Sequence, residues 1–328
     1  MHQALFNFLE KHDSLVLTTH FGPDPDGIGA EIVMAHICRA KGKYVRIINS
    51  APVPPRFRFL DPDGDIESWN NLKEKIPTGS AIIILDTSDE YNIGTVRDLL
   101  PNMSGIFIID HHEPSPFWSY EGYIDCTASS VCEMVIEIAA ATGISLNRKC
   151  AFAAYTGIIY DTGSFSYSKT TARTFKATMS LLDLGVVPYE AYHQLHETAS
   201  TSVLLLQKIV LSSLQVHNEG RVAVQILRKE DLETSKAQYE DADFFINIPM
   251  KANDIEVSVM IKENKEGEIR CSLRSKGNVN VSKIAQSFGG GGHVAASGFK
   301  SRDNIEKTLD KVLKKISSFL EQNTTDSQ

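Results

Sequence analysis

Five short stretches of this sequence gather side chains able to bind cations or phosphate. The first, Thr19-His20-Phe21-Gly22-Pro23-Asp24-Pro25-Asp26-Gly27, holds one imidazole and two carboxylates in a turn rich in proline and glycine. Asp26 could simply cap a helix opening at residue 28. Asp24 and Asp26 lie two apart, so on extended backbone they would point to opposite sides, which suits two different ions. The second stretch is Leu85-Asp86-Thr87-Ser88-Asp89 and the third is Asp110-His111-His112-Glu113. A lone Asp after a strand is often a helix cap, but two adjacent histidines cannot both be core residues on one face. In the fourth, Gly157-Ile158-Ile159-Tyr160-Asp161-Thr162-Gly163, an apolar helical stretch ends in an Asp beside a glycine turn. Mixed carboxylate and imidazole ligands without thiolates suit Mn²⁺, Mg²⁺, Fe²⁺ or Zn²⁺. Four carboxylates carry enough charge for two divalent ions, and two ions about 3.5–4 Å apart can clamp both reacting oxygens of a phosphate ester.

The fifth stretch, Ser287-Phe288-Gly289-Gly290-Gly291-Gly292-His293, frees the backbone of Cβ obstruction. Its amides could converge on an anion as a phosphate nest, with His293 as an added donor. The bland alternative is a flexible linker, although linkers mix Ser and Gly over longer runs. Arg274 and Lys276 precede the run and could supply positive charge. Two other stretches carry no site. Asp61-Pro62-Asp63-Gly64-Asp65 resembles a calcium loop but has Ile66 and Leu72 where that loop needs Gly and Glu, so it reads as a turn. His193 and His196 sit at helical spacing and read as surface or packing residues.

The elements that must position these groups are visible in the apolar pattern. Run 15–19 ends in His20, run 81–85 in Asp86 and run 105–109 in Asp110. Unbroken apolar strands alternating with helices, here near 28–41, 130–141, 148–159, 171–184 and 189–196, predict an α/β fold with a mainly parallel sheet flanked by helices. In such sheets ligands bind at the carboxyl ends of the strands, so these residues are expected to converge. A helix over 200–214 reads as a connection to a smaller mixed α/β domain, with strands near 221–227, 256–261 and 269–273. The expected layout is a catalytic domain over 1–197, a helical linker over 198–214 and a glycine-rich substrate-binding domain over 215–328, across a cleft from the first.

The chain has 328 residues, 23% of them charged, with a net charge of −8. That sign argues against a protein that coats nucleic acid non-specifically. Cys38, Cys126, Cys132, Cys150 and Cys271 form no C-x-x-C pair and suggest no disulfide framework. The first ten residues do not form a signal peptide and no apolar run is long enough for a membrane span. A reducing cytoplasm is the expected location.

Taken together, the motifs resemble the DHH phosphoesterase superfamily, and the glycine run with His293 resembles the C-terminal domain of its glycine-rich subtype. The layout is most similar to stand-alone nano-RNases. That resemblance implies that His20 and Asp24 bind one metal and Asp26, His111 and Asp161 the other, with Asp86 bridging. It gives His112 and Asp110 catalytic roles, His112 facing the scissile phosphate and Asp110 orienting a histidine. Ser130, Arg274, Gly290, Gly291, Gly292 and His293 would contact substrate. Two divalent ions, with Mn²⁺ the expected species, are the implied cofactors. Short single-stranded RNA or DNA and small phosphonucleotides are the implied substrates, and a homodimer is the implied assembly. One departure is visible: relatives often carry a basic residue shortly after the second-motif Asp, where this chain has Tyr91-Asn92. Hydrolysis of cyclic or linear dinucleotide messengers is the rival enzymatic reading. An RNA-binding module without catalysis is the rival of another class.

Overall fold

The computed structural model describes residues 2–114, 119–277, 279–292 and 294–325. The chain divides into two units, Met1–Thr198 and Ala199–Gln328. In chain order the first contains α1 (Gln3–Lys11), β1 (Ser14–Thr18), α2 (Pro25–Ala40), β2 (Tyr44–Asn49), β3 (Ile66–Ser68), β4 (Ala81–Leu85), β5 (Ile106–Asp110) and β6 (Glu121–Ile124). Four helices follow: α3 (Val131–Thr142), α4 (Arg148–Asp161), α5 (Ala172–Asp183) and α6 (Pro188–His196).

The six strands form one parallel sheet in the order β3-β2-β1-β4-β5-β6. Its central strands β1, β4 and β5 are largely apolar because both faces are covered. Leu15, Leu17, Ile83, Leu85, Phe107 and Ile109 enter the core shared with the helices, while Val16, Ile82, Ile84 and Ile108 turn to a second cluster with Ile93, Val96 and Leu100. The chain goes from β1 to β2 on one side and later returns to β4 on the other. The strand order therefore reverses between β1 and β4, and the crevice beyond their carboxyl ends is where open α/β sheets bind ligands.

The sequence missed the short strands β3 and β6. It also placed the start of α2 at residue 28, whereas the helix begins at Pro25. Proline's fixed φ and missing N–H suit the first helical position, and Asp24 is the cap, accepting from the amides of Asp26 and Gly27. The 61–65 stretch is a turn: the Asp61 carboxylate accepts from the amides of Asp65 and Ile66, leading the chain into β3.

The second unit contains α7 (Thr201–Ser212), β7 (Gln215–His217), β8 (Val222–Leu227), α8 (Lys229–Ser235), β9 (Val257–Glu263), β10 (Ile269–Ser275), α9 (Val281–Gln286), β11 (Gly291–Gly292), β12 (Ala296–Ser301) and α10 (Ile305–Thr325). Its mixed sheet runs β11-β12-β10-β9-β8-β7, with β8 and β9 parallel and the other pairs antiparallel. One face packs Val224, Val259 and Leu273 against Val281, Ile284, Val312 and Ile316. The other packs Leu227 and Met260 against Leu206 and Val210 of α7. The helix read as a linker from sequence is thus built into the second unit's own core.

Candidate metal centre

Three strand ends and two helix ends supply the site. His20 lies two residues beyond β1 and Asp24 caps α2. Asp26, in the first turn of α2, is fully buried. Its two oxygens accept from the first amides of α3, Val131 N at 2.7 Å and Cys132 N at 2.8 Å. A helix N-terminus stabilises a carboxylate in this position. Asp161 is the last residue of α4. It reaches the same place because α2 and α4 cross at glycines: a Cβ on Gly157 would stand 2.9 Å from Pro25 O, and one on Gly29 2.6 Å from Ala153 O.

Asp86 follows β4 with φ +65°, a conformation that costs a non-glycine residue energy and clusters at functional sites. Its Oδ2 lies 3.4 Å from His20 Nε2 and its Oδ1 3.5 Å from His111 Nε2. Asp24 Oδ1 is 3.8 Å from His20 Nε2. His111 Nε2 has Asp161 Oδ2 at 3.2 Å and Asp26 Oδ2 at 4.0 Å. Two groups result, His20–Asp24–Asp86 and Asp26–His111–Asp161, and a third set joins Asp86 to His111 and His112. Asp24 and Asp26 fall in different groups, placed there by the cap and first turn of a helix rather than by an extended strand.

Charge sharpens this arrangement. Burial raises Asp26 well above the ordinary carboxyl range, with Asp86 and Asp161 adding to it. Burial likewise lifts Asp86 to about 6, even against the neighbouring His20. Burial opposes a charged His20, yet Asp24 and Asp86 push it up to about 11. Burial also opposes charge on His111, but Asp161, Asp26 and Asp86 raise it to about 9. The two buried atoms Asp86 Oδ1 and His111 Nε2 make no aligned hydrogen bond to any group among the described residues. Buried polar atoms are seldom left so. Mutually repelling carboxylates, interleaved with imidazole nitrogens and short of partners, are what divalent cations satisfy. The donor set is all oxygen and nitrogen, since the nearby Cys132 Sγ instead donates to Asp26 O. The residues present therefore fit two metal ions.

Asp110 is completely buried and its Oδ1 sits 2.8 Å from His112 Nδ1, while also accepting from the His112 amide. This hydrogen bond raises His112 above the usual imidazole range. The His112 side chain is 56% exposed, so the ring is held from behind and open in front.

Sequence reasoning overlooked a supporting chain beneath His20. Asn49 Oδ1 accepts from Thr19 N at 3.2 Å and Thr18 Oγ1 at 3.3 Å, and Asn49 Nδ2 donates to Glu31 Oε2 at 2.9 Å. The signal was present: Asn49 closes an apolar strand with a polar residue, as the recognised ligands do.

Of the expected substrate residues, Ser130 is fully buried and its hydroxyl accepts from Glu133 N at 3.0 Å, capping α3. It supports the helix end that grips Asp26 and does not present a surface. Arg274 is half-buried on β10 and its Nη1 donates to Leu273 O. The glycine run does not form an open anion nest. The amides of Gly289 and Gly290 donate to Gln286 O and Ala285 O, and Gly291 and Gly292 pair with Gly298 and Ser297 of β12. The run needs glycine because a Cβ on Gly290 would stand 2.2 Å from Gly298 O. His293 lies outside the described residues.

The DHH family N-terminal domain matches residues 14–158 and the DHHA1 domain matches residues 219–322. The chain belongs to the DHH phosphoesterase superfamily, whose members are metal-dependent. It is 28% identical over 304 residues to the bifunctional oligoribonuclease and PAP phosphatase NrnA of Thermus thermophilus, covering 92% of this chain and 89% of that protein. It is 28% identical over 301 residues to the protein of the same name from Bacillus subtilis, covering 91% and 92%. The crystal structure of an exopolyphosphatase-related protein from Bacteroides fragilis superposes with a TM-score of 0.90 at 25% identity, covering 98% of this chain and 97% of that one. No helix among the described residues is long and apolar enough to cross a membrane.

Proposed function

We propose that this chain hydrolyses short oligoribonucleotides to 5′-mononucleotides and removes the 3′-phosphate of 3′-phosphoadenosine 5′-phosphate. The observation that carries this reading is the Asp86 carboxylate, whose two oxygens divide between two histidine–carboxylate groups. His20, Asp24 and Asp86 would hold one divalent ion and Asp26, His111, Asp161 and Asp86 the other, with Mn²⁺ as our proposed species. When bound, such ions polarise a phosphate ester and make water a nucleophile at neutral pH.

The protein's own residues do the rest. The α3 amides keep Asp26 in place. Asp110 fixes the His112 ring through Nδ1 and favours its charged form, so Nε2 can deliver a proton to the departing ester oxygen. Arg274 is the second unit's candidate for a substrate phosphate, and with the glycines and His293 it remains our proposed nucleotide-holding set. There the amides of Gly289 and Gly290 are engaged locally, so Gly290, Gly291 and Gly292 contribute mainly by shaping the β11–β12 ribbon.

The complete ligand set argues against a purely RNA-binding module. A panel of a ribotrinucleotide, 3′-phosphoadenosine 5′-phosphate, a linear dinucleotide and a cyclic dinucleotide, each with Mn²⁺ and with chelator, tests the reading. Metal-dependent loss of the first two supports it. Turnover of the cyclic dinucleotide alone would move the assignment to messenger hydrolysis, and turnover of none would remove it.

All five cysteines are unpaired, which suits the cytoplasm we propose as its location. Phe175, Met179 and Leu182 form an exposed apolar stripe on α5 at helical spacing, and we assign it to a homodimer contact that sedimentation would detect.

A further inference from the structure

Beyond the metal ligands, three exposed aromatic side chains follow the loops that carry them. Phe21 is the residue after His20, Tyr91 lies five beyond Asp86, and Tyr167 six beyond Asp161. They are 62%, 64% and 61% exposed, among the highest values of any large hydrophobic residue described. Single exposed aromatics are ordinary. One following each of three ligand residues, His20, Asp86 and Asp161, which the fold brings together, is a pattern.

Two of the rings are backed by glycine. A Cβ on Gly94 would stand 3.0 Å from Phe21 Cδ2, and a Cβ on Gly163 2.4 Å from Tyr167 Cε1. Both glycines have positive φ. Each ring therefore lies against bare backbone on one side and keeps solvent on the other. The third ring, Tyr91, is covered on one side by the Arg97 guanidinium, 4.6 Å from its centroid. A hydrogen bond from Phe21 N to Asn92 O, 2.5 Å long, ties the Phe21 loop to the Tyr91 loop. Rings held from one side and open on the other are stacking surfaces.

We propose that Phe21, Tyr91 and Tyr167 form an aromatic rim that stacks the bases of a single-stranded oligonucleotide next to the scissile phosphate. The proposal rests on the oligonucleotide reading above and names how that substrate is gripped. The physical need is plain. A chain of net charge −8 has little general attraction for phosphates spread along a strand. Stacking on aromatic faces works on any base and contributes about 1–3 kcal/mol per base. Tyr91 with Arg97 offers a stacked ring and a cation together.

The test uses the full chain, a ribotrinucleotide and three counterparts in which one base at a time is deleted, leaving the sugar. Phe21→Ala, Tyr91→Ala and Tyr167→Ala are each expected to raise KM for the intact trinucleotide about 5- to 150-fold, the range that one lost stacking contact implies. Phe21→Trp, Tyr91→Phe and Tyr167→Phe should restore it to within a few-fold. For each Ala variant, the preference for intact over one base-deleted substrate should collapse toward unity. A phosphorothioate trinucleotide carrying 2-aminopurine gives a readout without turnover: its fluorescence should be quenched on binding to the parent and less so with the Ala variants.

Equal losses on intact and base-deleted substrates, failure of the aromatic replacements to rescue, or unchanged quenching would each overturn the rim. If the parent protein cleaves no oligonucleotide yet the quenching depends on these rings, the rim stands and the hydrolytic reading falls.

Discussion

Replacing Asp86 with asparagine should stabilise the metal-free protein while destroying its function. Asp86 is buried to 4% exposure, and burial raises its carboxyl from 3.8 to about 6. A folded-state value above the unfolded one means that the charged form is the unwelcome one. The contribution of this one group to stability is then fully present below pH 4 and is lost as pH rises from about 4 through 6. Above pH 6 the charge costs about 3 kcal/mol. Asparagine removes that cost, keeps the shape and tolerates the φ of +65° at least as well. In chelator at pH 8, Asp86→Asn should therefore melt higher by about 6–12 °C for a unit of this size. The advantage should vanish near pH 4. With excess divalent metal the order should reverse, because the parent gains binding energy and the variant lacks the carboxylate shared by both groups. Turnover should be lost throughout. Thermal melts at three pH values, with and without metal, read all of this. A variant less stable than the parent in chelator at pH 8, or one that metal stabilises equally, would refute the reasoning.

Three other outcomes follow from the geometry. His112→Ala should lower kcat about 10²- to 10⁴-fold with little change in KM, the signature of a lost proton donor, measured under metal saturation. Asn49→Ala leaves Thr19 N and Glu31 without their partner and should cost about 2–4 kcal/mol by urea denaturation, with a weakened metal response because Thr19 precedes His20. Gly290→Ala should destabilise the second unit strongly, since its Cβ would meet Gly298 O at 2.2 Å, whereas Gly291→Ala, with nothing within 4 Å, should be nearly neutral in the same melt.

The sequence exposed the site better than its supports. His20, Asp86 and Asp110 stand out because strands buried on both faces must be apolar, so a polar terminus is conspicuous. Asn49 ends such a strand too, but an amide carries no charge and suggests no chemistry by itself. The start of α2 was misplaced because an Asp-Pro-Asp stretch offers two caps, and only the proline's preference for the first helical position selects Asp24. Short edge strands such as β3 and β6 are three and four residues long, too few for any periodicity to register. The glycine run reads as freeing backbone amides for an anion; in the structure Gly290, Gly291 and Gly292 lie against the backbone of β12. Nothing local could show that α7 packs beneath the second sheet, since that depends on side chains distant in sequence.

The crossing of α2 and α4 at Gly29 and Gly157 has a consequence for how such a protein can diversify. Where two helices meet backbone to backbone, there is no side chain to trade, and almost any replacement would push Asp26 and Asp161 apart. Changes in what the site accepts are therefore more easily made in the loops beyond the strands, which lie outside that crossing.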